Sequence, residues 1–198
     1  MTHRADRDGV HDGDFAQGQH VCSVYDTREE QLAVAAGYMA DGLARSERCL
    51  YACDSLDALD RIRAELAKHG VDAAAEEFRG ALLLLTSDAA HLEGGSFDGE
   101  RMLRMLNEAV EAALDAGFTG LRTCGDMSWL LRGAEGSSQA LEYEALLNQF
   151  FPTVRATGMC QYDRSRLPPH IIEGALARHP WMVDGRRNRP NPAYQPSL

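Results

Sequence analysis

From residue 18 onward, apolar runs of four to six residues alternate with longer stretches in which apolar side chains recur every three or four positions, and this alternation restricts the chain more than any other feature. The short runs have strand length and the long ones helix period. Strands separated each time by a helix cannot pair as hairpins and must cross over in parallel, which leaves both faces of the sheet to be covered by helices. The runs predict strands at His20 to Tyr25, Arg48 to Cys53, Ala81 to Thr86, Leu121 to Asp126 and Met159 to Tyr162.

The helices carry their own start and stop signals. Thr27-Arg28-Glu29-Glu30 forms a capping box ahead of a helix that runs to about Arg45. Leu56, Leu59, Ile62 and Leu66 share one face of a second, closed by Gly70, and Met102, Met105, Ala109 and Ala113 mark a third, stopped at Gly117 after a polar link over 87–99. Ser137 or Ser138 is expected to cap a fourth with Leu141, Ala145 and Phe151, and a last helix starts at Pro168-Pro169 and ends at His179, because Pro180 disfavours helix in the residue before it. A parallel sheet places ligands at the carboxyl ends of its strands, so the site is expected near Tyr25, Cys53, Ser87, Asp126 to Trp129 and Tyr162-Asp163.

At 198 residues, with 44% hydrophobic and 25% charged residues, the chain is expected to form a single domain with its own core. Residues 1–17 are acidic, with only Val10 and Phe15 to bury, and read as a flexible tail; 18–198 form the domain, whose proline-rich end is either a loose tail or a docked strap. No apolar stretch reaches membrane length and the start has no signal-peptide core, so a cytoplasmic location is expected. A net charge of −10 repels polyanions, which argues against direct nucleic-acid binding. The five cysteines are odd in number, lie in apolar segments and include no CxxC pair, so free thiols are expected.

The first strand-to-helix turn, Val24-Tyr25-Asp26-Thr27-Arg28-Glu29, has no glycine and two carboxylates, which disfavours a nucleotide cofactor. His20 and Cys22 leave the same face of a strand and read as core, as a small-molecule contact or as part of a metal site. Gly125-Asp126-Met127-Ser128-Trp129 reads equally as a pocket wall or as core closure; Glu144 alone reads as a solvated helix residue; Cys160, Tyr162 and Asp163 could converge with Asp126 at a fifth strand's end. His20, Cys22 and Cys160 together would be soft or borderline ligands for a transition metal such as zinc or copper.

These residues resemble the MEDS domain, the sensory module of methanogen and methylotroph regulators such as the dichloromethane-responsive repressor. The resemblance runs from about Gly18 to Pro196. It rests on His20, Cys22, Tyr25 and Asp26; on Gly125 to Trp129; on Tyr143-Glu144; on Cys160-Gln161-Tyr162-Asp163; on His179-Pro180; and on Asn191 to Pro196. It implies a RecA-like three-layer α/β fold with a mostly parallel sheet and no P-loop, with the first strand between the fourth and fifth. It also implies a role in sensing simple hydrocarbon derivatives, with a ligand site drawn from His20, Cys22, Tyr25, Asp126, Trp129, Glu144, Cys160, Tyr162 and Asp163. Relatives attach the module to a DNA-binding domain or a kinase, for which 198 residues leave no room, so signalling through a separate partner such as a kinase or transcription regulator is expected. The alternative is an enzyme acting on a small organic molecule, with Cys22 or Cys160 as nucleophile and His20 as base.

Overall fold

A computed structural model describes residues 14–185 and 187–196, so most of the expected acidic tail lies outside the described residues. The five expected strands and the helices between them are present: β1 (His20–Tyr25), α1 (Arg28–Ala44), β2 (Arg48–Cys53), α2 (Leu56–Lys68), α3 (Ala73–Phe78), β3 (Leu82–Thr86), α4 (Ser87–Ala90), α5 (Gly99–Asp115), β4 (Leu121–Asp126), α6 (Ala140–Phe150), β5 (Ala156–Asp163) and α7 (Pro169–Arg178). Two further strands follow, β6 (Trp181–Asp184) and β7 (Arg187–Pro190). The sheet order is β3-β2-β4-β5-β1-β6-β7, parallel except for the last pair. The expected position of the first strand is corrected here: β5 lies between β4 and β1, and β1 pairs with β5 and β6.

Alternation along the strands feeds two cores. Val21, Cys49, Tyr51, Cys53, Cys124 and Met159 meet Leu32, Ala36 and Met39 of α1 and Ile62 and Leu66 of α2. Cys22, Cys160 and Tyr162 face the opposite way, against Met102 and Leu106 of α5, Tyr143 and Leu147 of α6 and Ala175 of α7. All eight residues of β5 are buried, as a strand covered on both faces requires. Gly158 is needed there because an added Cβ would stand 2.1 Å from the Phe151 ring, which crosses the strand.

Thr27 caps α1, accepting from the Glu30 N–H at 3.2 Å, while the Glu30 carboxylate accepts from the Asp26 N–H at 3.0 Å, one residue earlier than a standard capping box. Ser137 does not cap α6. Its hydroxyl donates back to the Ala134 carbonyl at 2.6 Å, and a short 3-10 turn over Ser137–Gln139 leads into the helix. Arg122 of β4 is fully buried beneath α1, with its guanidinium 2.5 Å from Glu47 and 2.9 Å from Asp41 and lying over the Tyr38 ring. A Cβ at Gly42 would lie 2.5 Å from the Arg122 side chain, so only glycine leaves that side chain its path.

The packed chain begins before Gly18, since Phe15 is buried edge-on against Tyr38 and Ala16 accepts from the Thr157 hydroxyl at 2.8 Å. The proline-rich end is docked: Asn191 donates to the carbonyls of Leu176 and His179, and the Gln195 N–H donates to Ala177 at 2.8 Å.

Candidate functional site

The sheet divides the expected site residues between its two faces. Tyr25 and Asp126, at the carboxyl ends of β1 and β4, turn toward α1. The Tyr25 hydroxyl donates to Asp126 at 3.2 Å, the Ser128 N–H donates to it at 3.0 Å, and Arg28 pairs with it at 3.1 Å. Burial, with Asp126 and Asp163 nearby, pushes the Tyr25 phenol well up. Asp163 accepts from the Ser165 N–H and hydroxyl, holding the turn after β5, while Arg164 pairs across the surface with Asp26. Asp126 therefore does not converge with Cys160 and Tyr162, because adjacent positions on a strand face opposite ways.

His20, Cys22, Cys160 and Tyr162 lie on the other face, with Cys22 and Cys160 in direct register. Two groups from the covering helices complete the cluster. Glu144 of α6 is fully buried, which overturns its reading as a solvated residue, and Asn148 stands one turn further along the same helix. His179 follows α7 in extended backbone, where Pro180 forces it out of the helix, and its ring turns back so that Nδ1 lies 2.7 Å from the Ala175 carbonyl. Glu144 Oε2 is 3.0 Å from His20 Nε2, 3.3 Å from His179 Nε2 and 3.5 Å from Cys160 Sγ, while the Tyr162 hydroxyl donates to Oε1 at 2.6 Å. Cys160 Sγ is 3.7 Å from His20 Nε2, and His20 Nδ1 is 2.8 Å from Asn148 Oδ1. This cluster sits toward the amino end of β1 rather than at the carboxyl ends of the strands, since His20 is the first residue of β1.

Burial would raise the Glu144 carboxyl, but His179 and His20 outweigh it and hold its pKa well below the usual range. Burial and the neighbouring His179 lower His20. Burial, with Glu144 adding to it, pushes the thiols of Cys22 and Cys160 well up, which removes the thiolate that a nucleophile or an exchanging disulfide needs.

Beside the cluster, a cavity of about 40 Å³ lies between the sheet and α5 and α6. Ala52, Gly125 and Gly158 floor it, Met102 and Leu106 roof it, and Cys160 and His91 supply polar atoms. Burial pushes His91 down to about 4, so its ring is neutral at pH 7. His91 stacks on Trp129, which stacks in turn on Phe97, at 5.4 and 4.9 Å between centroids. Trp129 is thus buried in an aromatic stack beside the cavity and does not form its wall. His91 Nδ1, Trp129 Nε1, Ser87 Oγ and Ser128 Oγ are buried without a hydrogen-bond partner.

Sequence reasoning left His91, Asn148 and His179 out of the site. His179-Pro180 carried a usable signal, because a histidine expelled from a helix end by proline is held in one backbone conformation. His91 and Asn148 carried none.

The family model for MEDS, described as "MEthanogen/methylotroph, DcmR Sensory domain", matches residues 19–180. The chain belongs to this family. The matched span includes Glu144 and the three groups around its Oε2, and stops before Asn191 to Pro196. MEDS domains are sensory, so membership supports a sensor role in signalling. No curated protein sequence matches the chain. Among solved structures, a KaiC-like protein, PH0186, from the hyperthermophilic archaeon Pyrococcus horikoshii OT3 is similar with a TM-score of 0.58 and 18% identity, over 85% of this chain and 71% of that one. That likeness establishes the RecA-like α/β fold. No helix among the described residues is long and apolar enough to cross a membrane.

Proposed function

We propose that this MEDS domain is a receptor for a small, mostly apolar organic molecule of one or two carbons. The cavity beside Cys160 carries this reading: at about 40 Å³ it admits only a very small molecule, and apolar side chains make up most of its lining. A simple hydrocarbon derivative such as a halomethane or methanol suits so small a site, and His91 supplies a neutral polar atom to orient it. Filling a cavity sandwiched between β4, β5 and α6 would shift α6 against the sheet, and that shift would be read by a protein partner such as a kinase or transcription regulator. Five free, buried thiols support a reducing, cytoplasmic setting. The raised thiols weigh against the enzymatic alternative.

Saturation-transfer NMR with dichloromethane and methanol tests the reading. Transfer to at least one probe is expected, and it should be lost when Ala90→Val fills the cavity while the circular dichroism spectrum is retained. Absence of transfer from every probe, or equal transfer to the filled variant, would reject it.

A further inference from the structure

The two histidines of the buried cluster face a partner that neither can hydrogen-bond in its neutral form. Asn148 donates its amide N–H to the Arg178 carbonyl at 2.5 Å, which turns its Oδ1 toward His20. His20 Nδ1 must therefore donate, and His179 Nδ1 must donate to the Ala175 carbonyl for the same reason. Both Nε2 atoms are left with lone pairs, and both point at Glu144 Oε2, which also has only lone pairs to offer. His179 Nε2 is buried and finds no hydrogen bond. Protonating both rings would place two imidazolium cations with centroids 3.9 Å apart in a site closed to water. One cation at the focus of the lone pairs satisfies all of them at once.

We propose that His20, Glu144, Cys160 and His179 form a tetrahedral site for a divalent ion of the zinc class. Zinc bonds of about 2.0–2.2 Å to nitrogen and oxygen and about 2.3 Å to sulfur imply tetrahedral edges of roughly 3.3–3.7 Å. Four edges of the cluster measure 3.0, 3.3, 3.5 and 3.7 Å, and all four ligand atoms lie within 4.8 Å of one another. The charges also close. A divalent ion, the Glu144 carboxylate and a Cys160 thiolate sum to zero, the condition under which burial costs least. On binding, the Cys160 S–H bond breaks, a sulfur–metal bond forms and the proton leaves to solvent.

The groups around the four ligands fit the same reading. Each imidazole donates its far N–H to an oxygen, and the Tyr162 hydroxyl fixes the second carboxylate oxygen, the arrangement by which proteins orient metal ligands. A thiol and two imidazoles select a borderline ion over magnesium or calcium. The ligand set differs from the His20, Cys22 and Cys160 expected from sequence: Cys22 lies beside Cys160, but Glu144 and His179 complete the tetrahedron. The cavity shares Cys160 with this site, but the four ligands need no occupant there to meet.

The test uses the full chain, purified under reducing conditions, loaded with zinc and gel-filtered. Elemental analysis should give about one zinc per chain. Cobalt(II) added to chelated protein should show intense tetrahedral ligand-field bands and a thiolate-to-cobalt charge-transfer band. Cys160→Ser should abolish the charge-transfer band, and Cys22→Ser should leave it. Asn148→Ala, which frees the His20 ring, should weaken affinity roughly 10–100-fold. Zinc at trace level in folded wild-type protein, or a cobalt spectrum without tetrahedral bands, would overturn the site and leave a carboxylate–imidazole hydrogen-bond network. A charge-transfer band that follows Cys22 instead would overturn the ligand assignment. Loss of NMR transfer from the organic probes with zinc retained would reject the cavity reading alone.

Discussion

Arg122 sits inside a strand and under a helix, where a cation is expensive unless every N–H is matched. Its partners are Glu47, Asp41 and the carbonyls of Tyr38 and Phe15, which reach it from the first helix, from the link that follows it and from the chain before the first strand. Arg122→Ala should therefore cost about 3–5 kcal/mol in urea denaturation, because the buried Glu47 carboxylate loses its cation. A loss under 1 kcal/mol would show that Glu47 has another means of neutralisation. His91 makes a second prediction, this time in pH. Burial holds its folded pKa at about 4, against 6.5 for the unfolded chain, and outweighs the opposing pull of Glu144 and Asp126. Below pH 6.5 the unfolded state takes up a proton that the folded state refuses, so stability falls as pH drops toward 4 and levels off below it. The loss is about 3 kcal/mol over that window. His91→Leu should flatten this part of the curve of urea midpoint against pH; an unchanged curve would remove His91 as its cause.

At the scale of elements, Thr27 and Gly158 show two different dependences on neighbours. The cap at Thr27 is local, so Thr27→Ala should cost about 1 kcal/mol and little else. Gly158 is set by the Phe151 ring, 2.1 Å from where a Cβ would stand, so Gly158→Ala should cost about 1–3 kcal/mol through overpacking, with the double variant Gly158→Ala/Phe151→Leu recovering part of it. Additive losses in the double variant would exclude the clash. The same contrast explains which elements were legible in the sequence. The first four strands and the helix ends at Gly70, Gly117 and Pro180 lay in local pattern. The sixth and seventh strands did not, because Arg187-Asn188-Arg189-Pro190 has no apolar period and becomes a strand only by pairing with Trp181–Asp184.

At the scale of the whole molecule, the RecA-like frame retains its first strand-to-helix turn without a phosphate cradle. The backbone N–H groups of Asp26 and Glu30 are taken up by the chain's own side chains. ATP should accordingly give no heat of binding by calorimetry at physiological salt, with or without magnesium; measurable affinity would show that this turn opens.

Alternation and helix period determined by themselves that this chain forms a mostly parallel, helix-covered sheet, because both signals are carried by neighbours in sequence. They also paired His20 with Cys22, since strand side chains two apart share a face. Which face met which was decided only by tertiary structure. Asp126 and Cys160 came from strands that the sequence joined at one site, yet they lie on opposite sides of the sheet, because their positions in register differ by one and the side-chain period is two. Glu144 and His179 reached His20 from two helices with no local sign of it, since the meeting depends on how α6 and α7 dock on the sheet. A buried charge reveals its partners only in the folded state, where water has left and the distance between them is set.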